Sequence, residues 1–152
     1  EIDGKDSSQV WNSFRVANRA NIISRSLKKT DDYANVIQAA HNGYKSLFGG
    51  CIHLRKLIFK ENSLLVSDTL DGKYKEAISR FYFHPNLSVT LESNLLRVEG
   101  PKFVLLSDLN GSLASIVDSF WYPEFGVKIP NKVLQLNFQS SKLDTVFTWT
   151  YN

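Results

Sequence analysis

Methionine is absent from this chain of 152 residues, and cysteine occurs once. A single thiol, Cys51, cannot close an internal disulfide, and its apolar, strand-like neighbourhood marks it as a buried, inert side chain. It leaves the compartment open, because a periplasmic domain need not use disulfides. With Glu1 first and no methionine anywhere, the sequence reads as a processed product or a domain excised from a larger protein. No stretch approaches the roughly 18 consecutive apolar residues of a membrane span. No signal-peptide pattern stands at the start. Long helical periodicity is missing, and the eight glycines form no phosphate-cradling loop. Both absences exclude βαβ units and any dinucleotide or P-loop reading.

Motifs that carry chemistry are equally scarce. None of the three histidines falls into H-x-x-x-H spacing and there is no C-x-x-C, so no metal site follows from a local motif. There is no G-x-S-x-G and hence no nucleophile elbow. Glycosidase-like paired carboxylates are also missing, and Asp31-Asp32 reads as a turn or solvated surface. No recognition-helix or RNP-like pattern supports a nucleic-acid partner.

What is present is a globular composition, 43% hydrophobic and 12% aromatic, in a length that suits one domain over residues 1–152. The dominant period is two. Leu87, Val89 and Leu91 alternate with Ser88, Thr90 and Glu92. Leu134, Leu136 and Phe138 alternate with Gln135 and Asn137, and Phe147, Trp149 and Tyr151 with Thr148 and Thr150. Successive strand side chains point to opposite faces, so each set buries one face and wets the other. Turn signals such as Asp71-Gly72, His84-Pro85-Asn86, Asn110-Gly111 and Ile129-Pro130-Asn131 separate these runs.

Strands are expected near 19–28, 32–41, 51–60, 63–70, 75–84, 87–92, 94–99, 102–107, 112–121, 132–138 and 145–151. Residues 6–16 read as a short helical turn or loop, with Asp6 and Ser7 able to cap it. The fold class is all-β, an antiparallel β-sandwich of ten or more short strands.

The net charge of +3 is uneven: residues 1–60 hold ten Lys/Arg against five Asp/Glu, and the remainder eight against ten. A basic first part suits an anionic partner, and equally an ordinary solvated surface. His41 ends one expected strand and His53 starts the next, which makes them neighbours across a hairpin. His53 and Arg55 share a face with Leu57 and Phe59, so a partly buried Arg55 needs a carboxylate, and Asp68 on the following strand is the natural one. That pair either staples two strands or leaves Arg55 to bind a polymer's acid group. In His41-Asn42-Gly43-Tyr44, a strand end enters a turn in which Gly43 permits a positive φ. Tyr44 caps the core or stacks on a sugar. His84 reads as a turn residue without chemistry. Trp11, Trp121 and Tyr122 fall beside loops, as packing, an interface or a sugar platform.

One ordered set of segments resembles a known family. His41-Asn42-Gly43-Tyr44, then His53-Leu54-Arg55, then Val66-Ser67-Asp68-Thr69-Leu70-Asp71-Gly72 resemble the H-x-G-Y, H-x-R and v-x-D-x-L-x-G elements of the C-terminal β-sandwich of heparinase II/III-like polysaccharide lyases. Ile2-Asp3-Gly4-Lys5-Asp6 running to Trp11, Phe14 and Val16, Arg80-Phe81-Tyr82-Phe83-His84-Pro85, and Tyr122-Pro123-Glu124-Phe125-Gly126 are similar to further family segments in the same order.

The resemblance implies an anionic, uronic-acid-containing polysaccharide as partner and β-elimination as the parent reaction. That reaction neutralises a carboxylate, removes the C5 proton and protonates the leaving oxygen. It also implies an N-terminal α/α-toroid that supplies most of the chemistry, and an H-N-T histidine just upstream of the Ile2-Asp3-Gly4 segment, so the fragment alone is expected to be inactive. His41, Tyr44, His53 and Arg55 become candidate substrate-binding residues. Some members hold a structural divalent metal, zinc or calcium, for which His41 and His53 are candidate ligands. A bacterial periplasmic or secreted location follows from the family, with the cytoplasm left open. The competing reading is a non-catalytic carbohydrate-binding or scaffold domain of a capsule or exopolysaccharide system.

Overall fold

A computed structural model describes residues 1–12, 15–30, 35–47 and 49–152. Asp31-Asp32 and Phe14 fall outside the described residues, as does the start of the strand expected at 32. Thirteen strands are present among the described residues: β1 (Gln9–Asn12), β2 (Arg15–Ala17), β3 (Ile22–Lys29), β4 (Asn35–Tyr44), β5 (Cys51–Lys60), β6 (Ser63–Asp71), β7 (Ile78–Tyr82), β8 (Ser88–Glu92), β9 (Leu95–Gly100), β10 (Phe103–Asp108), β11 (Leu113–Trp121), β12 (Ile129–Asn137) and β13 (Lys142–Tyr151). Among the described residues no helix is long and apolar enough to cross a membrane.

Eight strands form one sheet in the order β3-β4-β5-β6-β13-β10-β9-β8, and three form a second in the order β11-β12-β7. Every pairing is antiparallel. The alternation read from the sequence sets the burial. Leu143, Thr145 and Phe147 of β13 point inward while Lys142, Asp144 and Val146 point out, and Leu96 and Val98 do the same for β9. Leu134 and Leu136 of β12 meet Val66, Leu96, Val98, Leu143 and Phe147 of the large sheet in the main core. A smaller core of Ile2, Tyr44, Cys51, Leu70 and Ala77 lies beneath the N-terminal segment. The sandwich is lopsided, with β3 exposed along its whole length at the edge of the large sheet. Arg25, Lys28 and Lys29 on that edge discourage strand addition by another chain.

Two local expectations are corrected. Residues 6–16 are not helical: Gln9–Asn12 pairs with Arg15–Ala17 as a hairpin, with Val10 opposite Val16. Asp6 and Ser7 therefore precede a strand and cap no helix, and Ser8 Oγ accepts the Ala20 amide across this segment at 2.9 Å. Ile129-Pro130-Asn131 is not a turn but the first part of β12, opposite Phe120. Pro130 is tolerated because β7 pairs only from Val133 onward, so the strand has one neighbour there. The β8–β9 turn uses Ser93 and Asn94, both at positive φ (47° and 65°), the conformation whose twist suits a two-residue hairpin.

The packing predicts the effect of a core truncation. Leu134→Ala, at a side chain with no exposed surface, is expected to lower unfolding free energy by about 3 kcal/mol. Urea denaturation should show an earlier midpoint with an unchanged slope, and an unchanged midpoint would contradict a shared core between the sheets.

Candidate functional site

Antiparallel pairing places the sequence candidates side by side. His41 lies opposite His53 between β4 and β5, and Arg55 lies opposite Asp68 between β5 and β6. All four project from the face that carries the core, near the edge of the covering sheet. Asp68 is almost completely buried, which is costly for a carboxylate unless its oxygens are satisfied. Oδ1 accepts from Arg55 Nε at 2.7 Å and from His53 Nε2 at 2.8 Å. Oδ2 accepts from Arg55 Nη2 at 2.9 Å and from Ser79 Oγ at 3.1 Å. Arg55 Nη2 also donates to Ser79 Oγ at 3.1 Å, closing a ring of three side chains. Ser79 belongs to β7, so the network ties the two sheets together.

The hydrogen bonds fix the histidine tautomers. The Gly43 amide donates to His41 Nδ1 at 3.2 Å, so that nitrogen is an acceptor and the proton sits on Nε2. His41 Nε2 therefore donates to His53 Nδ1 at 3.0 Å, and His53 Nε2 donates to Asp68. The result is a one-way relay from a backbone amide through two imidazoles to a carboxylate. Burial, reinforced by the neighbouring His53, lowers the His41 pKa. Burial would raise that of Asp68, but the hydrogen bonds from His53 and Arg55 hold it at about 2. Tyr44, buried in the smaller core and bonded to Ser7, has its pKa raised by burial and by the nearby Asp6 and Glu1. Beside the network a cavity of about 230 Å³ is lined by Asp6, Tyr44, His53, Arg55, Arg80 and Tyr82 among others.

Arg55 thus spends two of its nitrogens on Asp68, the stapling role, with its side chain still 38% exposed on the cavity side. The two histidines, the candidate metal ligands, bring His41 Nε2 and His53 Nδ1 to 3.0 Å from one another. The His41 Nδ1 lone pair receives the Gly43 amide, and the His53 Nδ1 lone pair receives the His41 proton. No set of three His, Cys, Asp or Glu side chains among the described residues is placed to hold a metal.

The role of Gly43 also differs from expectation. Its φ is not positive, and β4 continues through it to Tyr44 with a register shift between His41 and Tyr44. Glycine is needed for close approach: a Cβ there would run into the carbonyl oxygen of Ser7 and lie 2.8 Å from Ala20 Cβ. His84 is a turn residue, with Nδ1 accepting the Asn86 amide, and its ring packs against Trp121. Trp11, Trp121 and Tyr122 are all partly exposed. Two participants were missed. Ser79 comes from a strand that only tertiary packing brings near, and Arg80 is tied to Glu1 at 2.9 Å.

Residues 1–150 match the family model described as heparinase II/III-like, C-terminal. The chain belongs to this family. No curated protein matches it. Among solved structures, this heparinase-like domain is similar to heparan sulfate lyase HepC from Pedobacter heparinus, with 12% identity and a TM-score of 0.66. A mutant of that enzyme gives 0.65 at 12% identity, and the heparinase III BT4657 gene product gives 0.63 at 8%. Each likeness covers 88% of this chain and 22% of the other, so the heparinase-like chain spans about a fifth of the length of those enzymes. At these identities the likeness establishes the fold.

Acid should weaken this site in two stages. His41 has a lowered folded pKa, so its contribution is complete above its ordinary value of 6.5 and falls away as pH drops below it. Asp68, depressed from 3.8, contributes about 2 kcal/mol above about pH 4, lost as pH falls toward 2. Stability measured from pH 8 to pH 2 should show both, and His41→Gln should flatten only the first; an unaltered first stage in that variant would contradict the relay. Separately, Gly43→Ala is expected to cost about 1–3 kcal/mol through overpacking, read as a lower melting temperature, whereas a neutral result would mean the Ser7 backbone yields freely.

Proposed function

We propose that this domain is the C-terminal sandwich of a polysaccharide lyase that cleaves a uronic-acid-containing polymer by β-elimination. It supports a catalytic helical domain, an N-terminal α/α-toroid, and forms one wall of the cleft. The observation that carries this reading is the family match over residues 1–150. The geometry supports a wall in preference to a reaction centre. β-Elimination needs a base with a free lone pair, and Asp68 has all its acceptor positions occupied. The ring nitrogens of both histidines are engaged within the network.

In this reading His41, His53 and Arg55 hold the wall's shape, and Tyr44 backs it from the smaller core. Arg55, partly exposed toward the cavity, is the one among them able to face a uronate carboxylate while anchored from behind. The setting is the periplasm or exterior of a bacterium.

The test is a lyase assay on the parent-length protein against a panel of uronate polysaccharides, read as ultraviolet absorbance of the unsaturated uronate product. Turnover is expected, with Asp68→Asn losing both stability and rate because it frees the wall. Silence across the panel from folded protein would replace this reading with a non-catalytic carbohydrate-binding or scaffold role.

A further inference from the structure

Two Asn-Gly dipeptides occur in the chain, Asn42-Gly43 and Asn110-Gly111. Asparagine before glycine is chemically vulnerable. The glycine amide nitrogen attacks the asparagine Cγ, a new N–C bond closes a five-membered imide, and the Cγ–Nδ2 bond breaks to release ammonia. Water then opens the imide at either carbonyl and leaves aspartate or isoaspartate. The net change is a carboxamide and water converted to a carboxylic acid and ammonia, with no electron transfer. The attack needs an amide free of hydrogen bonds, a free carboxamide, and a backbone able to rotate until nitrogen meets Cγ. Glycine permits that rotation because it has no Cβ.

The fold treats the two sites in opposite ways. Asn110 and Gly111 are the central residues of an exposed turn between β10 and β11. Leu109 O accepts the Ser112 amide at 2.9 Å across it, and Gly111 has a φ of 83°. Asp108 Oδ1 accepts the Asn110 amide at 2.9 Å. Among the described residues, neither the Gly111 amide nor the Asn110 carboxamide has a hydrogen-bond partner. The space around Gly111 is open, since a Cβ there would meet nothing within 4 Å. A turn held by so few bonds opens locally while the core stays intact.

At Asn42-Gly43 each requirement fails. The Gly43 amide is committed to His41 Nδ1 at 3.2 Å. Asn42 Oδ1 accepts the Asn21 amide at 3.0 Å, and the Asn42 amide donates to Asn21 O at 3.1 Å, which fixes carboxamide and backbone together. Ser7 and Ala20 crowd Gly43 and block its rotation. Freeing this site means dismantling the relay that ends on Asp68.

We propose that Asn110-Gly111 is a site of spontaneous deamidation in the folded protein, and that the relay shields Asn42-Gly43 from the same reaction. The product sets a second carboxylate two residues from Asp108. Isoaspartate also adds a backbone methylene between Leu109, buried in the main core, and β11. That form is a substrate for enzymes that methylate the misplaced carboxyl. The proposal does not rest on the lyase reading.

The experiment incubates the parent-length protein at mildly alkaline pH, once folded and once unfolded in urea, until the unfolded sample has converted at both dipeptides. Peptide mapping by mass spectrometry reads the amide-to-acid change at each position. An isoaspartyl methyltransferase with a labelled methyl donor, applied to the separated peptides, reads isoaspartate. In the folded sample position 110 should convert within about tenfold of its unfolded rate, and position 42 at least about a hundredfold more slowly than its own, because it waits on opening of a buried network. Asn110→Gln should remove the folded-state signal from its peptide. His41→Ala, which deletes the acceptor of the Gly43 amide, should speed conversion at position 42 in protein that still melts cooperatively. The comparison of folded with unfolded native protein needs no variant and decides the matter if His41→Ala does not fold. An intact Asn110 in the folded sample, or equal rates there at positions 42 and 110, would overturn the proposal. Undiminished protection of Asn42 in folded His41→Ala would overturn the relay's part in it.

Discussion

The Asp68 carboxylate is the point on which this end of the molecule depends. A buried carboxylate costs several kcal/mol unless paired and hydrogen-bonded, and here four donors from three residues occupy its two oxygens. Arg55 comes from the neighbouring strand, His53 from the same one, and Ser79 from the other sheet. One charge thus fixes the spacing of β5 and β6, orients His53 and through it His41, and sets β7 against the large sheet. The same saturation removes Asp68 from any role as a proton acceptor. Its chemistry is spent on position.

Position is also what the relay conveys outward. Because each imidazole has one donor and one acceptor engaged, rotating either ring would break two hydrogen bonds. The Gly43 amide at the far end is therefore held by a side chain whose orientation is set two residues of the network away. Ser7 packs against Gly43 so closely that no side chain fits between them. Hydrogen bonds thus run without a break from the Ser7–Gly43 contact to the buried ion pair.

The strands were legible in the sequence because alternation and burial share a cause. Where one face is buried, as in β9 and β13, period-two patterning cannot drift without exposing the core. The pairing of His41 with His53 and of Arg55 with Asp68 was equally readable, because consecutive hairpins bring those positions together. What could not be read lies where the chain does not alternate or contacts are remote. The β1–β2 hairpin is short and exposed, so Val10 and Trp11 gave no buried face to recognise. Pro130 resembled a turn because its tolerance depends on how far β7 extends. Ser79 looked like any strand serine until β7 was placed across from Asp68. Gly43 was read for its backbone freedom, whereas a neighbour's carbonyl is what requires it.

The strand order of the large sheet has a consequence for how the molecule is made. β13, last in the sequence, lies between β6 and β10 near the sheet's middle. During synthesis β3–β6 and β8–β10 emerge as two separate hairpin stacks, each with an open edge facing the other. Neither edge is closed until residues 142–151 leave the ribosome. Folding of this sheet accordingly waits on β13 for its decisive step, and is of high contact order. Until the keystone strand arrives, β6 and β10 are bare templates for pairing with other chains.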